Sequence, residues 1–597
     1  MDAKTLIEMF RTVVKTHGDK TALMEKRGGT YQGFSYREFG ERVKNFAMGL
    51  ASLGIKQGDR VALISENRPE WPIADLGILA FGAINVPLYT TLTPSQIEYI
   101  LTDSGTKMVI ASKPELVEKV IEVYDNLASL DKVIFMDEIT AQQDYLIKFE
   151  DIYEKGKIFA EQNPDYYDNA IKQVKSDDLC GIIYTSGTTG APKGVMLSHE
   201  NILTNVRDAI EVIKLDETDT TLSFLPLCHS FERTAGQYVE IAVGATIAYA
   251  ESLDTVAVNL GEVKPTIMTT VPRLLEKVYA KVIENAETGS PIKRKIFWWA
   301  MNTGEKYVNA KVNEDIPAIL NFKYKLATKL VFSKLQTRIG GRLRFFVSGA
   351  APLSKEIAEF FNKAGILVLE AYGLTETSPG VTMNREQNFK FGTVGPAFPS
   401  VEIKIANDGE ILTRGPNIMK GYYKNPEATA ETIDKDGWLH TGDIGNIDED
   451  GFLTITDRKK NILVTSGGKN VSPATIENLL ITSPYIEQVM VVGDKRNFLT
   501  ALIVPGFDAL KNYANEHDIK YSNIEELVSN NEIYKLIDAD AQKLTDGLAR
   551  FEQIKKFTLI PKEFSIEGGE LTPTLKVKRK VVTEKYKDLI EKMYQPT

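Results

Sequence analysis

Residues 184–195 read YTSGTTGAPKGV, and they follow directly on the apolar run GIIY at 181–184. A β-branched-rich apolar run that breaks into small residues predicts a buried strand feeding a tight loop. In that loop Thr185, Ser186, Thr188 and Thr189 offer hydroxyls, while Gly187, Gly190 and Gly194 let backbone N–H groups come close to a ligand. Lys193 adds a mobile positive charge, so the segment suits convergence on phosphate oxygens. It is not a Walker loop: Gly194 follows Lys193, where that motif needs Ser or Thr.

The same texture recurs on both sides. KMVIAS from Lys107, LCGIIYTS from Leu179, TIMTTV from Thr266, RFFVSGA from Arg344 and ILVLEAYG from Ile366 read as strands, and SKEIAEFFNKAG from Ser354 has helical periodicity. Strands alternating with helices predict an α/β architecture, a large N-terminal domain of mostly parallel sheets with flanking helices. Ligands in such sheets bind beyond the carboxyl ends of the strands, where YTSGTTG, SGAAP and AYGLTE fall. After Tyr422 short strands and turn signals take over, then a helix-strand alternation and a Lys-rich end. We place a boundary there, giving 1–457 and a smaller α+β C-terminal domain at 458–597, of ordinary domain size.

Composition narrows the function classes. With 43% hydrophobic and 25% charged residues the chain fits ordinary globular proteins, and it has no run of eighteen uncharged apolar residues. MDAKTLIEMFRTVVKTHGDK alternates apolar and charged residues at helical spacing, unlike a secretory signal, so a cytoplasmic location is expected. Two cysteines, Cys180 and Cys228, are too few for a disulfide framework or a structural zinc site. A formal charge of -10 argues against nucleic acid as a partner. Residues 292–344 run the other way, with twelve Lys or Arg against Glu305, Glu314 and Asp315. Phe297, Trp298 and Trp299 sit beside Lys293, Arg294 and Lys295 there; the stripe reads either as a helix with an apolar inner and a basic outer face, or as a contact for anionic phosphates or an acidic membrane surface.

Three further segments carry polar chemistry. In LPLCHSFER at 225–233, Cys228 and His229 are neighbours, but adjacent residues on a strand point to opposite faces, so they do not read as a nucleophile and its base. His229 itself reads either as a structural histidine or as a substrate-facing one. In EAYGLTETSPG from Glu370, Tyr372 offers a ring for stacking, and Thr375 and Glu376 offer the hard oxygens Mg²⁺ prefers when it also binds phosphates. In HTGDIG from His440, Asp443, read as lying in a Gly turn, presents two acceptor oxygens that match vicinal ribose hydroxyls.

Taken together, YTSGTTGAPKGV, LPLCHSFER, EAYGLTETSPG, HTGDIG with DRKKNILVTSGGKN, and TPTLKVKRK resemble, in order and rough spacing, the motifs of the adenylate-forming superfamily that includes acyl-CoA synthetases, peptide-synthetase adenylation domains and luciferases. The resemblance implies that His229 lies near the acyl carboxylate and that Glu376 is the magnesium residue. By the same resemblance Gly349, Ala350 and Ala351 of SGAAP line the adenine and acyl pockets, and Tyr372, stacking on adenine, belongs with Gly373 and Thr375 to the cofactor-binding set. Asp443 and Arg458 would contact the nucleotide, Lys460 would be the hinge of a mobile C-terminal domain, and Ser466, Gly467 and Gly468 would face the CoA thiol arm. Lys576 matches the catalytic lysine that bridges carboxylate and α-phosphate. Leu575 departs from the pattern, since many relatives have Gly there, and this leaves Lys578 as an alternative.

The run from VPRLLEKVYAKV to KLVFSKLQTRIGGRLRFFVSGAAPL resembles the long-chain branch of the acyl-CoA synthetases. The implied activity is ATP- and Mg²⁺-dependent conversion of a fatty acid to acyl-AMP, then transfer to coenzyme A. Two other readings stay open: an acyl-AMP ligase serving a carrier protein, separable by a free-thiol assay, and a non-catalytic acyl or nucleotide binder, separable by pyrophosphate exchange. Oligomeric state is not legible.

Overall fold

The computed structural model describes residues 2–185, 191–312, 315–572 and 575–595. All five apolar runs are strands, and the periodic segment is the helix Lys355–Lys363. Helix starts follow the side chains: Ser35, Thr93 and Ser198 each close a capping box in front of Tyr36–Ser52, Pro94–Ser104 and His199–Val212.

Among the described residues two eight-stranded sheets form the body of the chain. The first runs, edge to edge, Gly421–Tyr422, Lys193–Ser198, Leu179–Thr185, Ile84–Leu88, Arg60–Ile64, Met108–Ala111, Lys132–Phe135 and Leu146–Lys148. The second runs Gly380–Met383, Leu367–Gly373, Phe345–Ser348, Ile267–Thr270, Thr220–Ser223, Thr246–Tyr249, Thr21–Arg27 and Thr30–Ser35. Pairing is parallel through the middle of both sheets, as helical crossovers require, and stays parallel out to the Leu146–Lys148 edge of the first; it turns antiparallel at the other edge of the first sheet and at both edges of the second. An antiparallel sheet of Glu402–Ile405, Glu410–Arg414, Leu439–Ile447 and Leu453–Arg458 follows.

The irregular segment that follows the LPLCHSFER turn is pinned from below. Asp75, fully buried, accepts hydrogen bonds from Arg233 at 2.5 Å, Tyr238 at 2.5 Å, Asn85 at 2.7 Å and Gln237 at 3.1 Å. Three of these donors lie in the π-helical turn Glu232–Tyr238. Removing one member of such a buried ion pair costs about 3–5 kcal/mol, so this turn, and His229 just before it, has a fixed position.

Beyond residue 463 the chain packs on itself. The sheet Ile486–Val492, Leu499–Pro505 and Ile554–Leu559 buries Leu499, Ala501 and Ile503 against helices Pro473–Leu480 and Asn531–Thr545. Its other face, with Leu502 and Val504, meets Val582 and Ile590 near the C-terminus. Polar contacts join this part to the body: Arg273 and Glu284 on the helix Pro272–Glu287 reach Glu487 and Asn512, and Asp457 accepts from the Ser472 hydroxyl at 2.7 Å. Among the described residues no helix is long and apolar enough to cross a membrane.

Candidate active site

The strand Leu367–Gly373 delivers Tyr372 to a cluster built by two neighbouring strands. The Tyr372 hydroxyl donates to Asp443 Oδ2 at 2.7 Å, and Arg458 Nε lies 3.0 Å from Asp443 Oδ1. Asp443 and Arg458 face one another because Leu439–Ile447 and Leu453–Arg458 pair in that register. The expected Gly turn is therefore a strand; Gly442, at φ 70°, takes up the irregular backbone beside Asp443. Burial raises the Asp443 carboxyl above its ordinary range, against the pull of Arg458, the Tyr372 hydroxyl and Lys576.

Lys576 reaches the same cluster from near the C-terminus. The residue is exposed overall, while protein crowds its ammonium enough to desolvate it. Enclosure and the Arg458 charge push it down to about 8, with Asp443 pulling the other way. Leu575 beside it sits at φ 62°, the left-handed region that a side chain resists by roughly 1–2 kcal/mol. Thr572 closes this turn: its N–H donates to the Lys576 carbonyl and its hydroxyl accepts the Lys576 N–H at 3.0 Å.

His229 lies within reach of the Lys576 charge. Burial first, and Lys576 second, lower its imidazole to about 3, so it is neutral at any ordinary pH. Its Nδ1 accepts the Phe231 N–H at 3.2 Å, which leaves the proton on Nε2 as a donor. Cys228 next to it is buried and its thiol is pushed up, the reverse of an activated nucleophile.

A second group forms around Glu376. Tyr422 donates its hydroxyl to Glu376 Oε1 at 2.8 Å, and Lys193 Nζ stands 4.9 Å from the Tyr422 ring centroid. Thr185 and Lys193 are paired across adjacent strands. Ser186, Gly187, Thr188, Thr189 and Gly190 lie outside the described residues. Thr375 opens the short turn Thr375–Thr377 and accepts from the Ser230 hydroxyl at 3.4 Å, tying the YGLTE and LPLCHSFER segments together. Gly373 is obligatory, since a Cβ there would lie 1.8 Å from the Pro379 carbonyl oxygen.

Gly349, Ala350 and Ala351 follow the strand Phe345–Ser348. A Cβ on Gly349 would press on the Phe231 ring at 3.0 Å, and Ala350 takes φ 68°. Gly467 and Gly468 are exposed, in a turn whose neighbour Ser466 donates to Asn497 at 2.6 Å. Lys460 is exposed, one residue past Lys459, which pairs with Asp408 and Glu410. The structure thus brings Tyr372, Asp443, Arg458, His229 and Lys576 into one cleft, whereas the contacts of the 466–468 turn run to Arg496 and Asn497. Tyr422 was not foreseen; nothing in its immediate sequence signals that it reaches Glu376.

A model of the AMP-binding enzyme family matches residues 10–423, and one of the AMP-binding enzyme C-terminal domain matches 460–597. The chain belongs to the AMP-binding enzyme family. Its relatives include the long-chain-fatty-acid–CoA ligase FadD15 of Mycobacterium bovis, 36% identical over 572 residues that cover 95% of this chain and 93% of that protein. Long-chain-fatty-acid–CoA ligase 5 of Rattus norvegicus is 35% identical, with 100% and 89% covered. Among solved structures, the anthranilate CoA ligase AuaEII with anthranoyl-AMP superposes at a TM-score of 0.75 with 21% identity, covering 98% of each chain. The carboxylate reductase adenylation domain from Mycobacterium chelonae gives 0.77 at 23% identity, covering 100% of this chain and 92% of that one, and both support the shared fold.

The donor set of this AMP-binding enzyme also bears on the cation. No group of three or more His, Cys, Asp or Glu side chains among the described residues could hold a metal by itself. Glu376, half-buried with one oxygen anchored by Tyr422, suits a cation that takes one protein carboxylate and completes its shell with phosphate oxygens and water, as Mg²⁺ does.

Proposed function

We propose that this chain joins a long-chain fatty acid to coenzyme A in two half-reactions. A carboxylate oxygen attacks the α-phosphorus of ATP, the bond to the β-phosphate oxygen breaks, and pyrophosphate leaves. The CoA thiolate then attacks the acyl carbon and AMP departs with the bonding electrons. Adenylation is needed because a free carboxylate is a poor acyl donor and AMP is a good leaving group.

The observation that carries the reading is the meeting of Lys576, Asp443, Arg458 and His229, from distant parts of the sequence, in one cleft. Asp443 would hold the ribose hydroxyls, and Tyr372 would present its ring to adenine. The Lys576 ammonium would lie between carboxylate and α-phosphate, where its contact tightens as charge builds on the phosphorus. Neutral His229 would donate from Nε2 to the acyl carboxylate. Mg²⁺, held through Glu376, would neutralise charge on the departing phosphates. The long-chain assignment draws on the names of relatives from bacteria and animals at 31–36% identity.

The two steps need different groups beside the same α-phosphate. We therefore assign Lys460 as a hinge about which the segment 458–597 turns, withdrawing Lys576 and presenting Gly467 and Gly468 to the thiol arm. The site is expected to work in the cytoplasm, peripheral to a membrane.

Incubation with ATP, Mg²⁺, CoA and a panel of acids from acetate to oleate tests the reading. The expected result is AMP and pyrophosphate, with thiol consumed in step with ATP and the highest turnover on long chains. ADP and orthophosphate, or AMP formed without thiol loss, would overturn it.

A further inference from the structure

The helix Ala318–Ala327 runs through a π-helical turn, Thr328–Phe332, into the helix Ser333–Arg338. One side of it is packed: Tyr324 stacks on Tyr307 of the helix Pro291–Val312 with ring centroids 3.8 Å apart, and Ala327 and Phe332 are buried. The other side is apolar and open. Ile319 is 71% exposed, Phe322 69%, Leu326 40% and Leu330 43%. Their spacing of three, four and four residues puts them on a single stripe. Isolated exposed apolar residues are ordinary, but four aligned along one helix are not.

Charge says what covers the stripe. Between Ala318 and Arg338 the chain carries Lys323, Lys325, Lys329, Lys334 and Arg338 and not one acidic residue, although its net charge is -10. By helical spacing Lys323 and Lys329 border the stripe on opposite sides. Lys323, Lys325 and Lys329 are exposed, and none of the three forms an ion pair among the described residues. An apolar ridge flanked by free ammonium groups matches an interface of acyl chains under anionic headgroups. It mismatches an apolar protein groove, which would leave those ammonium groups unpaired.

We propose that this face, Ile319, Phe322, Leu326 and Leu330 with the flanking lysines, docks the protein onto anionic lipid bilayers. The inference deepens the proposed function, for it rests on the reading that the acid substrate is a long-chain fatty acid, which partitions into bilayers. The residues involved are distinct from those of the cleft.

Co-sedimentation with vesicles of phosphatidylcholine containing phosphatidylserine tests it without turnover. The full-length protein is expected to bind at low salt and to lose binding as salt is raised. Replacing Ile319, Phe322, Leu326 and Leu330 together by Ser should weaken binding by about tenfold or more. Lys323→Glu with Lys329→Glu should weaken it by at least about fivefold on phosphatidylserine vesicles and leave binding to pure phosphatidylcholine unchanged. Because these side chains are exposed, pyrophosphate release with acid supplied on albumin should stay at the wild-type rate in both variants. No sedimentation at low salt, equal binding by the Ser variant, or a concentration-dependent dimer that the Ser variant abolishes would overturn the proposal. Loss of pyrophosphate release from wild type with binding intact would fault the catalytic reading instead.

Discussion

Arg273 grips Glu487 twice, donating one terminal nitrogen to its backbone carbonyl at 2.5 Å and the other to its carboxylate at 2.7 Å. Lys277 stands 3.8 Å from the same carboxylate. The grip joins the helix Pro272–Glu287 to the C-terminal sheet while Lys576 occupies the cleft, so it stabilises this arrangement against any other.

Arg273→Ala removes both contacts. Two partly exposed hydrogen bonds to a charged group are worth roughly 1–2 kcal/mol, about tenfold in the population of the docked state. Single-turnover pyrophosphate release should fall by up to that factor, while conversion of supplied acyl-AMP to thioester should hold or rise. Equal losses in the two steps would show that Arg273 acts on something other than docking.

The Lys576 ammonium sits at about 8, so its charge is present below that pH and is lost as pH rises through it. The kcat/KM for adenylation reports the free enzyme and should drop about tenfold per pH unit above 8. Bound nucleotide adds negative charge and raises the pKa, so kcat should hold to higher pH. Lys576→Arg retains a charge that does not titrate in this range and should flatten the alkaline limb. Lys576→Ala should cost on the order of 10² to 10³ in adenylation and leave thioester formation from supplied acyl-AMP near normal. An alkaline limb that survives in the Arg variant would assign the titration to another group.

The motifs that were legible are those in which consecutive residues share one local task. SGAAP and YGLTE announce themselves because small residues break an apolar strand where the structure ends it. The α/β class was legible for the same reason, from period and punctuation. The Tyr372–Asp443 bond spans 71 residues and the Asp75–Arg233 pair 158, and no local pattern encodes such partners. Asp443 reads as a turn residue because Gly442 precedes it, yet pairing with the strand Leu453–Arg458 decides otherwise. Leu575 holds a left-handed backbone that its side chain disfavours, so the turn reads from tertiary constraint and not from propensity.

Lys460 tests the hinge assignment. Its side chain is exposed and its N–H donates no hydrogen bond among the described residues, so Lys460→Pro breaks no hydrogen bond seen there. Proline fixes φ near -65° and stiffens the crossover. Adenylation should be kept within about twofold and thioester formation should slow markedly, with acyl-AMP accumulating in a quenched reaction. Unchanged overall turnover would refute Lys460 as the pivot.

Tyr422 is the residue whose reach the sequence concealed, and its hydroxyl can be removed without disturbing the ring. Tyr422→Phe keeps the surface facing Lys193 but deletes the donor to Glu376 Oε1. A hydrogen bond to a carboxylate orients it, and its net worth of about 1 kcal/mol corresponds to roughly fivefold in affinity. The Mg²⁺ concentration for half-maximal pyrophosphate release should therefore rise about fivefold, with thermal stability nearly unchanged. Glu376→Gln removes the charge itself and should raise the requirement much further. The double variant should behave as Glu376→Gln alone, because the hydroxyl acts only through the carboxylate it holds. Additive effects in that cycle, or a Mg²⁺ dependence insensitive to Tyr422→Phe, would place the cation away from Glu376.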